Sequence, residues 1–81
     1  MSRLTRWLRL SDGQISMQAA EEIARAECIR RGTPWWPPVK VHRHYGDWAV
    51  WTNADHSGGN VSVIVDRGTG EIKAIFGPTS T

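Results

Sequence analysis

Between residues 39 and 76 the large apolar side chains fall on every second position, and this period of two is the tightest constraint on how the chain folds. Val39 and Val41, Trp48 and Val50, then Val61, Val63 and Val65, and last Ile72, Ala74 and Phe76 mark the stretches. Turn residues bound each one, so they read as antiparallel strands over about 39–45, 48–53, 60–66 and 71–76. Gly46-Asp47 is expected to make a two-residue hairpin turn with glycine first. That pairs Tyr45 with Trp48, His44 with Ala49, Arg43 with Val50 and His42 with Trp51. Residues 53–58 read as a polar loop, and residues 66–70, Asp-Arg-Gly-Thr-Gly, as a second tight connection.

Ahead of the strands, one run without Pro or Gly has the composition of a helix, about residues 16–31. Ser16 is placed as its N-cap, with Ile15 set to staple against Ala20. Met17, Ala20, Ile23, Ala24 and Cys28 recur at three- and four-residue spacing and define the buried stripe. Glu21 and Arg25 suit an i,i+4 pair, while Arg30 and Arg31 suit the negative end of the helix. Gly32 is the expected terminator, and Pro34 confirms the stop. Residues 33–38, Thr-Pro-Trp-Trp-Pro-Pro, should form a stiff crossing, because prolines fix φ and hold their neighbours extended. The fold class is therefore α+β: one helix on a three- to four-stranded antiparallel sheet. Residues 1–13 form an N-terminal arm, 14–77 the single domain and 78–81 a polar tail.

A chain of 81 residues has room for one modest core. A net charge of +2, with the cations spread along the chain, makes nucleic acid an unfavoured partner. Arginines interrupt the first ten residues, so they carry neither a signal-peptide core nor a membrane span, and the expected location is the cytoplasm. One cysteine cannot close an internal disulfide. Five tryptophans are the compositional anomaly, and tryptophan is enriched where proteins grip one another.

The period of two divides each strand between two faces. Val39, Val41, Trp48, Val50, Val61, Val63, Val65, Ile72, Ala74 and Phe76 are assigned to the helix side, with Tyr45 at an edge. The other face should be polar, yet it receives Trp51, Ile64 and Ile75, rimmed by Lys40, His42, His44 and Lys73. An apolar centre with a polar rim is the anatomy of an interface, and the Trp35-Trp36 pair adds exposed aromatic surface. Either the N-terminal arm, through Leu4, Trp7 and Leu8, covers this face, or a partner does. His42 and His44 share one side of a strand, and His56 or Asp55 would be needed as a third metal ligand; solvated edge residues are the simpler reading. Cys28 lies on the buried helical stripe, and Asp47, Asp55, Asp66 and Glu71 fall in or beside turns. Gly58-Gly59 and Gly68-x-Gly70 precede no helix and read as turns rather than phosphate loops. No cofactor, metal or catalytic set is assigned, and the chain is read as a non-enzyme.

Two groups of small domains share part of this pattern. Ala20-Glu-Glu-Ile23-Ala24 and the stretch 63–72, with Val65-Asp66-x-x-Thr69-Gly70-x-Ile72, resemble PepSY-type domains. Trp48-x-Val50, Gly58-Gly59 and the same final hairpin resemble short immunity proteins of the nuclear-transport-factor-like fold. The resemblance spans about residues 15–76 and implies a cystatin-like helix-on-sheet module. For the first group it implies a role toward peptidases outside the cytoplasm; for the second, neutralisation of a toxin inside the cell. The expected function is thus an inhibitory module that binds a toxin, a peptidase or a defence complex, as immunity proteins and phage-type inhibitors do. The alternatives are a small-ligand or metal-binding domain and a homodimerising structural unit.

Overall fold

The computed structural model describes residues 14–77. The expectations for the arm (1–13) and the tail (78–81) lie outside the described residues. Helix α1 (Met17–Arg31) is followed by β1 (Lys40–His44), β2 (Asp47–Trp51), β3 (Ser62–Asp66) and β4 (Ile72–Phe76). The strands form one antiparallel meander in the order β1-β2-β3-β4, and α1 lies across one face. This is the α+β fold expected from the sequence. No helix among the described residues is long and apolar enough to cross a membrane.

The helix ends follow from local chemistry. Ser16 stays extended while its Oγ accepts the Ala19 N–H at 3.0 Å, and Gly32 closes the helix at φ 72°, its N–H reaching the carbonyls of the last turn. Ala19, Ala20, Ala24 and Cys28 are buried, and three alanines let the helix approach the sheet closely. Met17, assigned to the buried stripe, is instead 50% exposed. Ile15 fills the core at that end, held in place by its N–H donating to the Arg67 carbonyl at 2.9 Å.

The first hairpin is shifted by two residues from the expected register. Tyr45-Gly46 forms the turn, with the positive φ (58°) on Tyr45, and the pairs are His44 with Asp47, Arg43 with Trp48, His42 with Ala49, Val41 with Val50 and Lys40 with Trp51. Asp47 belongs to the strand, where it pairs with His44 and Asp66 and its carboxylate accepts from Lys73 Nζ at 2.8 Å. A slip of two preserves which side chains share a face. Trp48 and Val50 therefore still point at the helix, with Val61, Val63 and Val65 beside them.

The last hairpin departs more consequentially. Ser62 pairs with Phe76, Val63 with Ile75 and Ile64 with Ala74, but Val65 pairs with Ile72, so Lys73 is an extra residue at a β-bulge. The bulge reverses the phase of β4 beyond it. Ile75, assigned to the outer face, packs against the core beside Ile72. Ala74 and Phe76, assigned to the helix side, lie on the open face, and Phe76 is 59% exposed. The preceding turn is built by Asp66, whose Oδ1 accepts from the Gly68 and Thr69 N–H groups at 2.8 and 2.9 Å.

The helix makes its ion pairs at Glu27, which accepts from Arg30 and from Arg31 Nε at 2.6 Å. Hydrogen bonds from Arg30, then Arg31, lower its pKa from 4.5 to about 2. A depressed carboxylate stabilises the fold above its unfolded pKa and loses that contribution as pH falls toward its folded value. The acid limb of thermal stability between those two pH values should therefore be flatter in Glu27→Gln than in the parent, as followed by circular dichroism. Ser16→Ala should lower stability by about 1 kcal/mol through the lost cap, measured by denaturant melts.

Candidate functional site: the open face of the sheet

The two hairpin registers and the bulge arrange the face turned away from α1 into cross-strand rows. Lys40, Trp51, Ser62 and Phe76 form the row nearest the 53–60 loop. His42, Ala49, Ile64 and Ala74 form the next. His44, Asp47 and Asp66 form the third, where Lys73 bridges the two carboxylates, 2.8 Å from Asp47 and 3.7 Å from Asp66. Trp51 is 44% exposed, and Ile64, Ala49 and Ala74 are half-buried between the aromatic row and the charged one. With strands about 4.8 Å apart, Trp51 and Phe76 stand about 10 Å from each other.

The charged row sets one ammonium, Lys73, between two carboxylates, Asp47 and Asp66. Backbone N–H donation from Thr69 and Gly68 holds the Asp66 carboxyl below its ordinary range. The hydrogen bond to Asp47, aided by Asp66, raises the Lys73 ammonium above its own. Lys40, His42 and His44 lie along β1 and are exposed.

Trp36 stands at the same end of the sheet as Trp51. Its carbonyl accepts from the Asn53 N–H at 2.6 Å, and the Pro38 carbonyl accepts from Ala54 at 3.0 Å, so the proline crossing is bonded to the loop that follows β2. Gly59, at φ 69°, leaves room for the Trp36 ring; a Cβ there would lie 3.1 Å from it. Asn60 ties the loop inward by donating to the carbonyls of Thr52 and Asn53 at 2.9 and 2.7 Å. The Trp36 ring is 48% exposed on this braced loop, whereas Trp35 packs against the core.

Of the residues singled out from sequence, Trp36, Lys40, His42, His44, Trp51 and Lys73 are exposed and Ile64 is half-buried; Trp35 and Ile75 are committed to the core. Sequence reasoning missed Phe76. The signal was there in part: Ile72 and Ile75 stand three apart around Lys73, a spacing that strict alternation cannot bury on one face. Tyr45, 88% exposed at the hairpin tip, stacks edge-on with His44 at 4.9 Å.

The other chemical candidates are absorbed by structure. His56 Nδ1 lies 2.6 Å from Asp55, and among the described residues no three His, Cys, Asp or Glu side chains gather as a metal would need. Cys28 is fully buried, and desolvation raises its thiol pKa above the ordinary value. The amides of Gly58, Gly68 and Gly70 bond to Asn60, Asp66 and the Asp66 carbonyl. Comparison of the chain with protein-family models, curated proteins and solved structures finds no match.

The reversed phase of β4 has a direct test. Ile75→Ala should cost about 1–3 kcal/mol of stability, while Phe76→Ala should cost under about 1 kcal/mol. Equal losses in denaturant melts would place both side chains in the same environment and remove the bulge.

Proposed function

We propose that the chain is a non-enzymatic binding module that blocks a partner protein through the open face of its sheet, in the manner of an immunity protein or a phage-type inhibitor acting inside the cell. One observation carries this reading: Trp51 and Phe76 stand exposed in one row of a rigid sheet, flanking half-buried Ile64, with Lys40, His42 and His44 at the rim. Each aromatic leaves about half its surface in water, and covering it would contribute roughly 2 kcal/mol. Rigid aromatics lose little conformational entropy on binding, which is why a few such residues dominate interface energetics. Trp36 extends the surface past the end of the sheet.

Affinity capture from the native host, run in parallel with Trp51→Ala and Phe76→Ala, tests the reading. Both variants should keep the parent circular dichroism spectrum and lose the captured partner, with affinity for it falling at least about tenfold. Unchanged capture by both variants would show that the partner binds elsewhere. Sedimentation of the parent at high concentration tests the competing homodimer, since a dimer dispersed by Trp51→Ala would assign the face to self-association.

A further inference from the structure

Thirteen residues precede Gln14, and the point where they join the described domain is fixed. The Ile15 N–H donates to the Arg67 carbonyl, and the Arg67 N–H donates to the Gly46 carbonyl. The chain therefore enters at the end of the sheet that carries the β1–β2 and β3–β4 turns. The third row of the open face, with Asp47 and Asp66, lies at that same end. One ammonium, Lys73, serves both carboxylates there and leaves one negative charge over. Residues 1–13 set Arg3, Arg6 and Arg9 against Asp12, and interleave them with Leu4, Trp7, Leu8 and Leu10. The other large apolar side chains that the described residues expose are scattered. Met17 and Ile29 stand twelve residues apart on α1, about 18 Å, and Tyr45 sits at a hairpin tip. Trp51, Phe76 and the half-buried Ile64 are contiguous.

We propose that residues 1–13 of the same chain lie along the open face as a tethered occupant, which a partner must displace. This rests on the reading of the open face as a protein-binding site and adds its regulation. Length permits it: thirteen extended residues reach about 43 Å. The first and third rows are four residues apart along each strand, about 13 Å, and the stretch from Leu4 to Arg9 spans about 17 Å. Arg9, five residues ahead of Gln14, would reach the Asp47–Asp66 row as the chain rounds the end of the sheet. Trp7 and Leu8 would then cover Ile64, and Leu4 would reach the Trp51–Phe76 row. Exposed charge pairs contribute little each, so they set direction while the apolar contacts hold the segment down. The tether keeps its effective concentration on the order of millimolar, so a weak contact suffices.

The test uses the full chain, labelled with 13C and 15N. Nuclear Overhauser contacts should join Trp7, Leu8 or Leu4 to the Ile64 methyls and the Trp51 and Phe76 rings. Trp7→Ala should shift the amides of Trp51, Ile64 and Phe76 and leave those of Ala20 and Ala24 in place. Arg6→Glu combined with Arg9→Glu should release the face and raise affinity for the captured partner roughly three- to tenfold. Arm contacts to the helix or no arm contacts at all would overturn the proposal. So would contacts seen only between chains in an isotope-filtered mixture of labelled and unlabelled protein, which would assign the face to a second copy. Weaker capture by the arginine variant overturns it too, since the arm would then assist the partner. If the arm contacts are missing while Trp51→Ala still abolishes capture, only this inference falls. Arm contacts on the face with capture indifferent to Trp51 and Phe76 support the covering arm and overturn the face as a binding site.

Discussion

Trp48 joins more of this molecule than any other side chain. Its indole N–H donates to the Ile15 carbonyl at 3.1 Å, tying the sheet to the residue that enters the helix. Ile15 in turn bonds to Arg67 at the start of the last hairpin turn, so helix entry, β2 and the β3–β4 connection meet around one ring. Arg43 and Arg67 each lie within 6 Å of that ring, at 5.8 and 5.7 Å. A buried tryptophan with its one donor satisfied sets orientation as well as area, which a valine at that position could not do. The valines and alanines around it, Val50, Val61, Val63, Val65, Ala20 and Ala24, pack with Ile15 and Cys28 into one core.

The elements that were legible in the sequence are those decided by local chemistry. Ser16 and Gly32 bound the helix because a hydroxyl acceptor and a residue tolerant of positive φ are required there. Asp66 builds its turn through its own carboxylate, and the chain needs no distant contact for that. The hairpin register was not legible for the opposite reason. Gly46-Asp47 is the better turn by local preference, but Asp47 is paired with Asp66 in the sheet and meets Lys73, 26 residues away, contacts that the local sequence does not reveal. The turn that forms puts Tyr45 at φ 58° where the local preference would put a glycine first.

The candidate site was half legible for a related reason. Alternation assigns Trp51 and Ile64 correctly, since β2 and β3 are regular across those rows. It fails at β4, where one inserted residue exchanges Ile75 for Phe76. The exchange makes the face more aromatic and the core more aliphatic than the pattern implies. A bulge costs ladder hydrogen bonds, and here Lys73, the inserted residue, is the one whose ammonium bridges Asp47 and Asp66.

That coupling bears on how binding and folding share the sheet. The helix side is closed: Trp48 is bonded, Cys28 is buried, and Val50, Val61, Val63 and Val65 are fully enclosed. On the open side, the same bulge that sets Lys73 between two carboxylates and blunts the β4 edge also turns Phe76 outward to stand with Trp51. The exposed bases of β1, Lys40 and Arg43, lie at the other edge, and Lys40 pairs directly with Trp51 of the aromatic row. On the proposed reading of this face as a binding surface, the exposed aromatics would contribute most of the binding energy.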